Sequence, residues 1–244
     1  MIEAEIQGKV SSFENKEDVL TSNVFGLLEL VDYYAHLPTL IAGAHNIKDT
    51  SQSFENVVNI KNLKVTRLTL WKSFDALWGK FEEPDVYVEL HDDERVLKII
   101  IEVKYKSPES IKYVDDTQIG QLKRYIMATK ADYLIYLTAS HLSAKHLQTD
   151  NLEYGDKIFH IHWEDLNREL KKIIDSKNGI EKKVLQKISD YLDFKGFFGW
   201  EQWNMDFLNI SSENTCSSFY GPSYFKFDFN NIQTEIKGEF YAKK

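Results

Sequence analysis

Apolar residues recur at helix-like and strand-like spacings along most of the 244-residue chain. From residue 15 to residue 35 they return every three or four positions, which is typical of one face of an α-helix. Asn15 is a suitable N-cap for this helix, and the acidic Glu17 and Asp18 suit its first turn because the helix dipole favours negative charge there. Pro38 then interrupts the pattern, and we expect a second short helix to begin near it.

The middle of the chain alternates between strand and helix patterns. Residues 63–71, 85–90 and 96–105 show strand-like alternation, and a short acidic turn separates the last two. Further predictions are helices at 117–130, 140–149, 163–176 and 180–194, strands at 131–137 and 157–162, and a β-hairpin turning at Asn230–Asn231. This order predicts an α/β fold in which helices flank a central mixed sheet. We expect residues 1–176 to form the core, with the helix, aromatic segment and hairpin of residues 177–244 packed on it.

Composition narrows the class of protein. A 43% hydrophobic and 14% aromatic content supports a packed core, and 28% charged residues with only 4 prolines argue against long disorder. The single cysteine, Cys216, excludes an internal disulfide framework and suits a reducing compartment. No apolar run reaches the roughly 18 residues of a membrane helix, and the first residues lack the pattern of a secretory signal. We therefore expect a cytoplasmic protein without a membrane partner.

Charged residues stand at the end of the predicted 85–105 hairpin, where side chains should be buried. Asp85 follows a proline, and Glu102 and Lys104 share one face of the second strand, whose other face is wholly apolar. If residues 92–95 form the turn and His91 faces Val96, the register places Asp85 opposite Glu102. Directly opposed residues have Cβ atoms about 4.5–5.5 Å apart.

Two facing carboxylates repel each other unless a cation lies between them. Paired oxygen ligands suit Mg²⁺, and a lysine beside them could hold or deprotonate a water next to a phosphate. The pattern thus predicts metal-assisted hydrolysis of a phosphodiester. The alternative is structural, with Glu102 and Lys104 as the solvated end of an edge strand.

These residues carry a resemblance to a known family. Pro84-Asp85, then Glu102-Val103-Lys104, then a helix with Gln121 and Tyr125 four residues apart, resemble the motifs of the PD-(D/E)xK nucleases and the QxxxY element of their RecB-like branch. The resemblance covers about residues 15–165. It implies the restriction-endonuclease-like fold, a three-layer α/β/α arrangement around the mixed sheet.

The resemblance also implies roles. Asp85, Glu102 and the Val103 carbonyl would bind Mg²⁺, for which Mn²⁺ could substitute, and Lys104 would position or activate the attacking water. Gln121 and Tyr125 would orient the site or contact the substrate backbone. Glu17 would bind a second ion or a metal-bound water, although Asp18 and Glu29 compete for that role and an acid at a helix start also serves the dipole.

The expected substrate is nucleic acid, most simply DNA, and a homodimer is one possible assembly. Lys106, Lys123 and Arg124 would contact phosphates, although a basic helix face can also be merely solvated. The net charge of −8 and an aromatic segment from Phe197 onward favour an alternative, a non-catalytic nucleic-acid-binding or assembly module that retains the fold. A second alternative is a structural hairpin in an unrelated α/β fold. His160 and His162 share a strand face without a third metal ligand nearby in sequence.

Overall fold

A computed structural model describes residues 17–31, 33–76, 78–79, 81–91, 95–105, 109–114, 117–140 and 149–198, together with three short strands near the C-terminus. The chain forms two compact units, Met1–Glu201 and Gln202–Lys244. The helix at 179–194 lies within the first of these units.

Six helices and two 3-10 segments are described in the first unit. The α-helices are α1 (Glu17–Leu28), α2 (Tyr33–Ile41), α3 (Phe54–Val57), α4 (Gln121–Thr129), α5 (Trp163–Asp175) and α6 (Gly179–Phe194), and the 3-10 segments are Ile60–Asn62 and Thr149–Lys157.

A six-stranded mixed sheet lies at the centre of the first unit. Its strands, in spatial order, are β1 (His45–Asn46), β10 (Ile158–His162), β9 (Tyr133–Thr138), β6 (Val96–Lys104), β5 (Val86–His91) and β2 (Lys64–Leu70). The three strands β6, β9 and β10 are parallel, whereas β1, β5 and β2 pair antiparallel with their neighbours. Two small hairpins, β3 (Phe74–Asp75) with β4 (Phe81–Glu82) and β7 (Ile111–Val114) with β8 (Thr117–Gly120), complete the described strands of this unit.

Helices cover both faces of β6. Alternate side chains of a strand point to opposite faces, and those of β6 enter two different buried clusters. Ile99 and Ile101 belong to the larger buried cluster, which includes side chains of α1, α2, α5 and α6. Ile100 belongs to a second cluster, formed with Leu122 and Tyr125 of α4. The prediction of one wholly apolar face covered by helices is confirmed, and so is the coarse prediction of a mixed α/β fold.

The first predicted helix is wrong in its extent. The chain turns after α1 ends at Leu28, and α2 begins at Tyr33, so Pro38 lies inside the second helix and not ahead of it. Leu30 in the turn is 68% exposed. Apolar periodicity reports burial, and burial on both sides of a short turn can look like one continuous helix.

The helix predicted from residue 117 begins only at Gln121. Thr117–Gly120 instead pairs antiparallel with Ile111–Val114 as β8, and Gly120 keeps an extended backbone just before α4. Threonine and isoleucine favour such pairing. The helix predicted at 140–149 lies almost wholly outside the described residues.

The second unit contains a three-stranded antiparallel sheet of β11 (Phe219–Tyr220), β12 (Phe225–Phe227) and β13 (Tyr241–Ala242). β12 is the central strand, pairing with both others. The predicted turn at Asn230–Asn231 lies outside the described residues.

No helix in the described part of the chain is both long enough and apolar enough to cross a membrane.

We predict that Ile101→Ala lowers the free energy of unfolding by about 2–5 kcal/mol, because it leaves a cavity in the larger cluster. Ile101 is fully buried. Val96→Ala on the same strand is the control, since Val96 is 45% exposed and its truncation should cost about 0.5 kcal/mol or less. Urea denaturation of both variants measures the difference, and equal effects would contradict the placement of the core.

Candidate active site

Asp85 and Glu102 lie side by side on neighbouring strands. β5 and β6 pair His91 with Val96 and Val86 with Ile101, so the next position along the ladder places Asp85 beside Glu102. The register inferred from the turn length is confirmed. The backbone N–H of Val103 donates to Asp85 Oδ2 at 2.8 Å, which holds this carboxylate against β6.

Glu102 is the most buried carboxylate of the site, with a side chain only 2% exposed. Its Oε1 accepts hydrogen bonds from Gln121 Nε2 and Lys104 Nζ, both at 2.7 Å. Its Oε2 is buried and has no hydrogen-bond partner among the described residues. Buried polar atoms are nearly always satisfied, so an unpaired oxygen at this point indicates a place for a cation or a proton.

Both carboxyl groups have raised pKa values. Burial raises the pKa of Glu102 well above its usual 4.5, and the facing Asp85 carboxylate raises it further. Burial also raises the pKa of Asp85, while the Val103 N–H and the Lys104 ammonium act in the opposite direction. Two neighbouring carboxyl groups that are both desolvated favour sharing one proton, unless a metal ion binds in place of the proton.

Lys104 links Glu102 to the first helix. Its Nζ lies 2.7 Å from Glu102 Oε1 and 3.4 Å from Glu17 Oε2, and its side chain is 8% exposed. Burial alone would lower the pKa of Lys104, but the Glu102 and Glu17 carboxylates outweigh it and the net pKa is raised. Lys104 therefore remains an ammonium, which can donate hydrogen bonds but cannot accept a proton.

Glu17 is brought into the site although it is distant in sequence. It is the first residue of α1, and its Oε1 accepts a hydrogen bond from the Tyr105 backbone N–H at 3.3 Å. The acidic first turn of α1 thus reaches the end of β6, and the binding of an ion or a metal-bound water by Glu17 stays a prediction. The helix dipole favours its negative charge there whether or not it serves an ion.

The N-terminal end of α4 supports the carboxylate pair from the other side. Gln121 Nε2 donates to Glu102 Oε1 and also lies 2.8 Å from the Tyr125 hydroxyl, one helical turn further on. The Tyr125 hydroxyl donates to the Glu83 carbonyl at 3.2 Å. Burial, with a smaller effect of Glu102, raises the pKa of Tyr125. The two predicted orienting residues therefore tie α4 to both strands of the site.

The three residues predicted to contact phosphates are not gathered at the carboxylate pair in the described part of the chain. Lys106 lies outside the described residues, and Lys123 Nζ pairs with Glu153 at 2.5 Å. Arg124 is 1% exposed, and its guanidinium binds Glu82 Oε1 at 3.2 Å and the Ile119 carbonyl at 2.8 Å. A buried guanidinium cannot reach a substrate phosphate, so the prediction for Arg124 does not fit the structure and its role is structural.

Glu82 is a site-supporting residue that the sequence reading missed. It is 3% exposed and accepts from both Arg124 Nε and, at 2.7 Å, Lys112 Nζ. This ion pair network fixes the chain three residues before Asp85 to α4. The sequence signal for this ion pair was Glu82, two residues before Pro84, which could have been matched to a basic residue of the helix that follows.

If a divalent ion binds here, Asp85 and Glu102 are the two side chains of the described residues that would hold it. Among the described side chains, no group of three or more His, Cys, Asp or Glu residues is arranged to hold a metal ion. A site built on Asp85 and Glu102 would therefore depend on waters and on a backbone oxygen, which suits Mg²⁺. The unpaired Glu102 Oε2 is the observation that supports the fit, and the Val103 carbonyl remains a predicted ligand.

Comparison of the chain with protein-family models, with curated proteins and with solved structures found no match in any of the three. The chemistry of the site is therefore inferred from its residues and their geometry.

We predict that Arg124→Met lowers the free energy of unfolding by about 3 kcal/mol, because it leaves the buried Glu82 carboxylate with Lys112 as its remaining cation. Lys123→Met on the same helix is the matched control, since Lys123 pairs with a largely exposed acid and should cost about 1 kcal/mol or less. Replacing Glu82 by Met in the Arg124→Met background should recover part of the loss. Equal effects of the two single variants in chemical denaturation would contradict the buried pair.

We predict that metal-free wild-type protein loses stability relative to Glu102→Gln as the pH rises above the usual value of 4.5. The raised pKa means that the native state keeps a proton which the unfolded chain releases, so the free energy of unfolding falls with pH in this window. Glutamine cannot ionise and lacks this loss. Denaturation with chelator from pH about 5 to about 8 measures the difference between the two proteins, and a constant difference would show that Glu102 is ionised throughout.

Proposed function

We propose that this protein is a nuclease of the PD-(D/E)xK type that hydrolyses phosphodiester bonds with Mg²⁺, or with Mn²⁺ in its place. The observation that carries the proposal is the confirmed register that sets Asp85 beside Glu102, with one buried Glu102 oxygen left without a partner. A structural hairpin would gain nothing from two desolvated carboxylates in contact, since their burial is costly.

Each residue has a role that follows from its position. Asp85 and Glu102 would hold the ion, which would stabilise charge on the phosphate and favour ionisation of water. Lys104 stays protonated, so it would donate to the attacking water or to a phosphate oxygen and not act as a base. Gln121 would keep the Glu102 carboxylate oriented, and Tyr125 would hold α4 against the chain before Asp85.

The same motifs favour the finer fold assignment. The mixed sheet has helices on both faces, which is compatible with the three-layer restriction-endonuclease-like arrangement. Nucleic acid, most simply DNA, is the proposed substrate because phosphodiester hydrolysis is the chemistry that this set of groups can perform. The net charge of −8 means that the chain as a whole does not attract a polyanion, so any attraction would come from local groups.

A second candidate function is a non-catalytic module that binds nucleic acid or assembles with other proteins. The contact between Lys104 and Glu102 favours it, because Lys104 Nζ already occupies one oxygen of the most buried acid at 2.7 Å without a metal. Thermal unfolding separates the two: a nuclease site should be stabilised by Mg²⁺ in the wild type and not in Asp85→Asn, whereas a module without a metal site should show no Mg²⁺-dependent shift in either.

We predict that the purified protein cleaves DNA in Mg²⁺ or Mn²⁺ and that Glu102→Ala and Asp85→Asn each lower the rate by about 100-fold or more. Glu102→Ala removes a whole carboxyl group from the pair, and Asp85→Asn replaces one of its oxygens by an amide nitrogen. Fluorescent oligonucleotides in duplex, single-stranded and branched form, with RNA counterparts, would measure the rates.

Glu89→Gln is the matched control for these variants. Glu89 lies on β5, on the same face as Asp85, and accepts a hydrogen bond from the Tyr87 hydroxyl at 2.9 Å. Its amide variant should leave the rate within about twofold of wild type. Intact DNA and RNA in every form with wild-type protein, or a Glu102→Ala variant as active as wild type, would refute the nuclease assignment.

A further inference from the structure

The face of the sheet that carries Glu102 and Lys104 continues across two more parallel strands. The ladder pairs Glu102 with Tyr136 and Tyr136 with His160. Two residues further along each strand, Lys104 pairs with Thr138 and Thr138 with His162. Residues paired in register share a face. Two rows of side chains therefore run from the carboxylate pair to β10, at the carboxyl ends of three parallel strands, where ligands bind in open α/β sheets.

The outer ends of these rows form a compact cluster, His160–Thr138–His162. Thr138 Oγ1 lies 2.8 Å from His160 Nε2 and 3.2 Å from His162 Nδ1. The two imidazoles meet edge to face with centroids 4.6 Å apart. Both histidines are half-buried, and within the described part of the chain no residue hydrogen-bonds the remaining ring nitrogen of either.

The His160 ring of this cluster is uncharged near neutral pH. Burial, together with His162, lowers the pKa of His160 to about 4, although Asp165 of α5 acts in the opposite direction. His45 of β1, paired directly with His160, also lowers it. A neutral imidazole has one N–H, and the single Thr138 hydroxyl proton can be donated to one of the two rings. The remaining nitrogen of that ring then carries the N–H, as an uncharged donor.

Distance excludes this cluster from the reacting phosphate. Neighbouring strands are about 4.8 Å apart, so β10 lies about 10 Å from β6. A donor there reaches a different part of a long substrate from the part held at Glu102. Of the predicted cationic contacts, the two that the structure describes have other partners, since Arg124 is buried against Glu82 and Lys123 pairs with Glu153.

We propose that His160 and His162, held by Thr138, form a binding subsite for a second phosphate group of the nucleic-acid backbone, which accepts a hydrogen bond from the N–H of the ring to which Thr138 donates. This inference rests on the proposed nuclease function. The subsite gives an acidic protein affinity for a long polyanion without lysine or arginine contacts. It predicts that the contribution of these histidines to binding is insensitive to salt, because no counterion is released when a neutral donor meets a phosphate.

The test is the combined variant His160→Ala with His162→Ala, since the Thr138 hydroxyl can serve either ring. With Mg²⁺ at pH about 7.5, KM for an oligonucleotide that wild type cleaves should rise about fivefold to tenfold, with kcat within about twofold. The slope of log kcat/KM against log salt should stay unchanged, whereas losing a lysine contact lowers it by about one. Restoring amide donors with His160→Gln and His162→Gln should recover most of the affinity.

His91→Ala is the matched control, because His91 lies at the end of β5 that is far from Asp85, where it pairs with Val96. An unchanged KM in the combined alanine variant, a fall confined to kcat, or a reduced salt slope would each overturn the subsite. If wild type cleaves no nucleic acid, the nuclease assignment fails, and fluorescence anisotropy with the same labelled oligonucleotide tests the subsite separately. Weaker binding by the alanine variant than by wild type would then support the subsite, and equal binding or none by wild type would overturn it.

Discussion

The structure depends on one desolvated carboxylate, that of Glu102. It stands near the end of β6, whose apolar residues from Leu97 to Val103 belong to the two buried clusters, and burial penalises its charge. The protein satisfies one oxygen with Lys104 and Gln121 and leaves the other without a partner among the described residues. Such a buried, partly unpaired carboxylate is unfavourable by itself, and a bound cation or proton would offset its desolvation.

The surrounding elements keep this carboxylate in place from three directions. The first turn of α1 supplies Glu17 to Lys104, β5 supplies Asp85, and α4 supplies Gln121. α4 is itself tied to the chain before Asp85, through Arg124 on Glu82 and Tyr125 on the Glu83 carbonyl. The helix thus holds both strands of the carboxylate pair at once, which explains why a buried arginine lies so close to a candidate active site.

Much of the fold near the site could be predicted because it depends on local rules. The alternation of residues 96–105 and the short turn after His91 were sufficient to set the register of the β5–β6 hairpin and to place Asp85 beside Glu102. The start of α4 could not be read in the same way, since Thr117–Gly120 has to find its partner strand Ile111–Val114 before its conformation is decided. The separation of α1 from α2 was not predicted either, because apolar periodicity reports which residues are buried and not whether the helix is continuous.

The sequence by itself determined the residue types of the site, their order, and the strand parity that gathers Asp85, Glu102 and Lys104 on one face. These follow from the two-residue period of a strand and from turn length, which act within about twenty residues. Only the tertiary structure decided which cations are available, burying Arg124 against Glu82 and binding Lys123 to Glu153. It alone extended the site face across β9 to His160 and His162. Charge partners and neighbouring parallel strands are set by long-range packing, which local spacing does not record.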